Sequence, residues 1–205
     1  MAAIAGAACA TGGETANGIE NAPIVQPGAP GESSRVITAG QAVERPRVQH
    51  TTADVRFMQN MLAHHAQALE MTALRPERST SEELRLMALR IELSQRDEIT
   101  MMQQWLTARG EALPDAHAHH AGDMPGMATP EEMSQLAQTR GEGFDRLFLE
   151  LMIKHHQGAL VMVDELFATP GAGQESEVFA FASDVVDDQR IEIDRMAVML
   201  KERQR

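Results

Sequence analysis

Two short blocks carry residue types from which a metal site is built. Met61-Leu-Ala-His64-His65 and Met152-Ile-Lys-His155-His156 each place a thioether three residues ahead of two adjacent imidazoles. On a helix, residues three, four and seven apart share a face. Met61, His64, Ala68 and Met71 therefore form one stripe, and Met152, His155, Ala159 and Met162 a second. His65 and His156 point about 100° away from their neighbours, so both members of a pair cannot face a bundle axis squarely. Thioether and imidazole together suit soft ions such as Cu(I) or Ag(I). A di-iron centre instead needs Glu-x-x-His aimed inward. No Glu-x-x-His occurs in this chain.

Two further blocks supply partners for those side chains. Gln95-Arg-Asp-Glu98-Ile-Thr-Met-Met102 and Gln189-Arg-Ile-Glu192-Ile-Asp-Arg-Met196 share a pattern. A carboxylate on a histidine's second nitrogen sets its tautomer and basicity. Glu98 and Glu192 are expected to do this rather than bind metal, with Gln95 and Gln189 orienting the rings and Met102 and Met196 close behind. A third group, His117, His119, His120, Met124 and Met127, is dense enough to form a metal-capturing arm. Its competing reading is a solvated His-rich loop. The competing reading of the pairs is equally concrete: buried histidines that clamp helices by hydrogen bonds, with Met87, Met101 and Met199 as ordinary core.

The elements that must position these residues repeat. Residues 54–71 and 145–162 share eight of eighteen identities, and 95–102 and 189–196 share five of eight. Packing alone requires neither His-His nor Met at matching places. Helix starts are expected at the capping boxes Thr51–Asp54, Thr80–Glu83 and Thr129–Glu132, the last with Pro130 in first position. Stops are expected at Pro76, at Gly110 and Pro114, and at Pro170-Gly171. Gly141 and Gly143 should separate a short helix near 130–140 from a long one starting near Phe144. Four long helices, about 52–74, 81–109, 144–168 and 175–203, follow from these marks. No stretch alternates with period two, so no strand is expected. The fold class is all-α: a four-helix bundle of ferritin-like type made of two tandem hairpins, 51–110 and 129–205.

These four motifs, with the Gly126-Met127 step, resemble the signature of domain-of-unknown-function family 305 over about residues 51–203. The resemblance implies a ferritin-like bundle. Its characterised copper-binding members bind copper through Met and His, which implies a metal role for the residues above. One departure stands out: Ala66-Gln67 in the first half where the second has Gln157-Gly158.

Composition bounds the function. The 205 residues carry a net charge of −12, against a binder of nucleic acid or anionic membrane and towards a cation-attracting field. Fourteen methionines stand against six Phe, one Trp and no Tyr. The single cysteine, Cys9, rules out an internal disulfide or a cysteine cluster. Small residues before Cys9 resemble a bacterial lipoprotein signal, although no Lys or Arg precedes it. Cys9 is thus a candidate lipidation site and the only expected link to a membrane. Residues 1–50 hold 7 of 15 Gly and 4 of 9 Pro, and read as a signal-like segment and disordered linker. A thiol-free Met/His set suits an oxidising, extracytoplasmic compartment. Gly-rich phosphate loops, Gly-x-Ser-x-Gly and His-Glu-x-x-His are missing. The expected function is exported copper binding for sequestration or resistance, with metal ions as partners and no cofactor needed for folding. The alternatives are a structural or interaction bundle and, behind it, a His/Glu metal oxidoreductase.

Overall fold

The computed structural model describes residues 23–26, 33–43, 48–114 and 124–203, in two units, Met1–Arg47 and Val48–Arg205. In the first unit, β1 (Pro23–Gln26) pairs antiparallel with β2 (Arg35–Thr38), and α1 (Ala39–Val43) follows. These strands differ from the expectation of none. Their β-branched doublets pair as Ile24 with Ile37 and Val25 with Val36, which favours a ladder without period-two alternation. Thr38 and Gln41 then bond reciprocally at the start of α1.

The second unit holds α2 (Thr52–Arg78), α3 (Glu82–Ala108), α4 (Pro130–Gln138), α5 (Gly141–Ala168) and α6 (Ser176–Glu202). The capping boxes at Thr51–Asp54 and Thr129–Glu132 form as read. At α3 the cap moves one residue on, where Ser81 Oγ accepts from Leu84 N–H at 3.2 Å in place of Thr80. Pro76 does not stop α2, which runs on to Arg78. In the last turn proline removes one helical donor, while Ser79 N–H still reaches Arg75 O at 3.0 Å. The break before α5 lies at Thr139–Arg140, and Gly141 and Gly143 begin the helix rather than precede it.

The long helices pair as two hairpins, α2 on α3 and α5 on α6, joined through α2 against α5. The core has two apolar clusters. One gathers Phe57, Met61, Met102, Trp105, Met162, Phe181 and Val185. The other gathers Met71, Leu84, Ile91, Phe148, Met152, Met196 and Met199. On every long helix a polar stretch lies between residues of one cluster and residues of the other. Of the expected core methionines, Met87 and Met199 are buried, whereas Met101 is 39% exposed on the outer side of α3.

Candidate metal centre

The polar layer between the clusters consists of His64 and His65 from α2, Gln95 and Glu98 from α3, His155 and His156 from α5, and Gln189 and Glu192 from α6. All four histidines are wholly buried. Each pair divides its work according to helical phase. His64 and His155 face one another across the α2–α5 seam, ring centroids 3.8 Å apart and planes tilted by 34°. His65 and His156 turn instead towards the partner helix of their own hairpin. The ring centroids within a pair are 6.5 and 6.2 Å apart.

Every imidazole uses Nε2 in the same sense. His65 Nε2 lies 2.5 Å from Glu98 Oε2, and His156 Nε2 lies 2.7 Å from Glu192 Oε2. His155 Nε2 reaches His64 O at 2.9 Å, and His64 Nε2 reaches Pro125 O at 3.0 Å. Carboxylate and carbonyl oxygens only accept, so each ring donates Nε2–H, and the lone pair of a neutral ring is left on Nδ1. None of the four Nδ1 atoms has a hydrogen-bond partner. Buried nitrogens are ordinarily paired. Here four imidazole Nδ1 atoms are held without a partner in one layer.

For His64 and His155, burial is the main reason the ring stays unprotonated. It lowers His64 to about 3, with help from His65 and then His156, against the opposing pull of the Pro125 carbonyl. His155 is held well below its ordinary value, again first by burial and then by His64, His156 and His65. At neutral pH both rings are uncharged and basic at Nδ1.

A short strap breaks the symmetry of the layer. Residues Met124–Ala128 run between α2 and α5, and Pro125 O takes the His64 donor. Gln67 clamps the strap twice, accepting from Ala128 N–H at 2.7 Å and donating to Ala128 O at 2.9 Å. Its repeat mate, Gly158, lets the strap backbone approach α5, since a Cβ there would sit 2.0 Å from Pro125 O. Gly126, at φ +76°, meets the same surface, 2.5 Å from Lys154 O for an added Cβ. The Ala66-Gln67 departure from the repeat thus has a structural purpose.

The predicted site residues fare unequally. Met61, Met102 and Met162 lie in the apolar cluster on one side of the layer, and Met71, Met152 and Met196 in the other. Met127 is buried, and Met124 is partly buried against the first cluster. His117, His119, His120 and Cys9 lie outside the described residues. Glu98 and Glu192 accept hydrogen bonds from His65 and His156. Gln95 Oε1 and both polar atoms of Gln189 make no hydrogen bond among the described residues. Sequence reading missed Arg90, whose Nε donates to Glu192 Oε1 at 3.1 Å. It also missed the strap receptor, although glycine inside a long helix is a signal of close backbone approach.

The donor chemistry limits what could bind. Among the described residues no three His, Cys, Asp or Glu groups are gathered as a metal site. The bare imidazole nitrogens and buried thioethers fit a soft ion of low coordination number.

Comparison with known proteins agrees with this architecture. The profile of the domain-of-unknown-function family DUF305 matches residues 54–200. A DUF305 fragment from Deinococcus radiodurans is 36% identical, with a TM-score of 0.68 over 77% of this chain and 99% of that one. A DUF305 protein of Streptomyces coelicolor, designated secreted, is 34% identical, with a TM-score of 0.64 over 74% of this chain and 92% of its own. CopM in its Cu(I)-bound form is 25% identical, with a TM-score of 0.60 over 73% of this chain and 96% of its own. CopM structures in Cu(II)-bound and silver-bound forms match as well. Comparison with curated proteins finds no match. With the paired hairpins and their repeated Met-His motifs inside the matched span, the chain belongs to the DUF305 family.

Proposed function

We propose that the polar layer binds a soft monovalent cation, Cu(I) or Ag(I), through imidazole Nδ1 atoms and neighbouring thioethers. The observation that carries this reading is the set of four buried Nδ1 atoms left without a partner while each Nε2 is committed elsewhere. His64, His65, His155 and His156 would supply nitrogen, with Met61, Met71, Met152 and Met162 supplying sulfur. Glu98 and Glu192 hold two of the rings, so these rings need little reorganisation when metal arrives. The arm residues His117, His119 and His120, with the partly buried Met124, would capture metal first. The role is sequestration or hand-over without turnover. The metal-bound forms of CopM support the choice of ion. The secreted designation of the Streptomyces relative and the small residues before Cys9 support an exported protein, tethered through Cys9.

A second reading has its own observation. All four Nε2 atoms reach acceptors on other elements, so the histidines also serve as clamps. One experiment separates the two. The full chain is titrated with Cu(I) against a competing chelator, and with Ag(I), alongside a Met61→Leu/Met152→Leu variant and a His64→Ala/His65→Ala variant. Leucine conserves volume and removes sulfur. The metal reading expects tight binding in the parent and a loss of at least about tenfold in both variants, about 1.4 kcal/mol each. Micromolar or weaker parent binding, or destabilised histidine variants with intact metal affinity, would leave only the clamp.

A further inference from the structure

The four rings of the polar layer do not find their acceptors in the same kind of place. His65 and His156 reach Glu98 and Glu192 on the partner helix of their own hairpin, and His155 reaches His64 O on α2. Those acceptors stand on long helices. His64 alone depends on a loop, with Nε2 3.0 Å from Pro125 O. It is wholly buried, and its Nδ1 has no partner.

A loop carbonyl points where its turn sends it, and this turn is specific. Met127 N–H closes on Met124 O at 3.5 Å, and Gly126 has φ +76°. Proline holds φ near about −65°, so Pro125 in second place and a positive φ in third make a type II turn. Types I and II differ by a flip of the central peptide, whose carbonyl here is Pro125 O. Gly126 thus decides the direction of that carbonyl, because glycine takes a positive φ without steric cost. The turn is pressed onto α5, where a Cβ on Gly158 would lie 2.0 Å from Pro125 O and 2.6 Å from Gly126 Cα. Gln67, on α2, ties the far end through its two bonds to Ala128.

Direction matters because a carbonyl only accepts. A neutral His64 with its hydrogen on Nδ1 would set the Nε2 lone pair against Pro125 O. The turn disfavours that form and keeps the hydrogen on Nε2.

We propose that the Met124–Met127 turn is a positioning element of the metal layer, one that fixes which nitrogen His64 offers to a soft ion. This rests on the metal reading above. Gly126, Gly158 and Gln67 are its positioning residues, and they act through Pro125 O rather than on the ring. His155 needs no such turn, since α2 itself supplies its acceptor.

The test is made on the full chain, metal-free and at neutral pH, with isotope-labelled histidine. Long-range proton–nitrogen NMR correlations read the tautomer of every ring, and hydrogen exchange at residues 126–128 reads whether the turn is held. The parent should show His64 purely in the Nε2–H form. In Gly158→Ala, Gly126→Ala and Gln67→Ala the turn amides should exchange faster. His64 should then show mixed tautomers, while the other three rings keep the parent pattern. Gln67→Ala adds no atom to the crowded contact, so it carries the test if a glycine variant fails to fold. A released turn with His64 still purely Nε2–H overturns the proposal. So does a turn that stays protected in every variant, or a change shared equally by all four rings. Ag(I) affinity, measured by chelator competition, should fall by about tenfold in the released variants. Unchanged affinity where the tautomer has mixed overturns the positioning role. A parent that binds no silver overturns the metal reading alone, since the tautomer is read without metal.

Discussion

The first hairpin, α2 with α3, and the second, α5 with α6, are two copies of one pattern that have been given different surroundings. Their inner faces agree: His-His, Gln-x-x-Glu and Met recur at matching heights, and two apolar clusters flank one polar layer. Their differences lie where each copy meets something outside itself. Gln67 grips the strap, while Gly158 makes room for it. Arg90 seals Glu192, while Asp184 stands in the mate's place. Asp54 caps α2 and accepts the Gly173 N–H at 2.7 Å, while its mate Asp145 keeps an unpartnered Oδ1. A repeat thus acts as an internal control. What both halves retain belongs to the layer, and what one half changes belongs to its own contacts.

The largest test of this comparison is acid. His64 and His155, one from each hairpin, are both lowered in the folded chain. Above the ordinary histidine value near 6.5 neither state binds the proton, and their contribution is fully present. Below it the unfolded chain takes up protons that the folded chain refuses, so stability falls as pH drops from 6.5 towards 3. His64 alone gives about 1 kcal/mol per pH unit over that range, and His155 adds to the slope in the same direction. Urea melts of metal-free protein between pH 7.5 and 4.5 should show this slope, and His64→Gln or His155→Gln should each lessen it. An undiminished slope in either variant would show that the halves do not share the layer equally.

Next in size is Arg90→Ala. It leaves Glu192 buried with His156 alone and should cost about 3 kcal/mol. Asp184→Ala, at the exposed repeat mate of Arg90, should be neutral. Equal costs would mean that Arg90 does not compensate Glu192.

Gly158→Ala should follow, at about 2 kcal/mol, since the new Cβ must displace the Pro125 carbonyl. Hydrogen exchange should show faster amide exchange at residues 126–128 while the long helices keep their protection. Gln67→Ala, which loses two hydrogen bonds to Ala128, should loosen the same amides at a cost of about 1–2 kcal/mol. If the strap amides stay protected in both variants, the two residues are not its receptor.

The smallest expected effect concerns the N-terminal unit. Deleting residues 1–47 should move the melting temperature by less than about 2 °C, under about 1 kcal/mol for a domain of this size. A larger loss of cooperativity would assign that unit a share of the bundle's stability.

Much of the bundle was legible because its signals are local. Caps at Thr51 and Thr129, the stop near Gly110 and the periodic apolar faces depend on neighbours within one or two turns. Errors arose where another element decided. Pro76 is tolerated because it falls in the last turn, where Arg78 Nε also donates to Ala137 O at 2.6 Å. The short strands escaped notice because four residues offer too few alternations to read.

Within the site, residue types and spacing determined that two Met-x-x-His-His blocks would lie on equivalent helix faces, since helical phase follows from sequence position alone. They also determined that Glu98 and Glu192 would be available to hold a ring, one hairpin at a time. Only the tertiary structure decided which nitrogen each histidine commits, because the acceptors Pro125 O and His64 O come from other elements and leave no mark near the histidines in sequence. It alone brought His64 against His155 across the seam, and it alone placed Arg90 on Glu192, 102 residues away. Lone-pair direction and charge coverage depend on contacts between segments distant along the chain. For that reason the donors could be read from the sequence, while the state in which they are held could not.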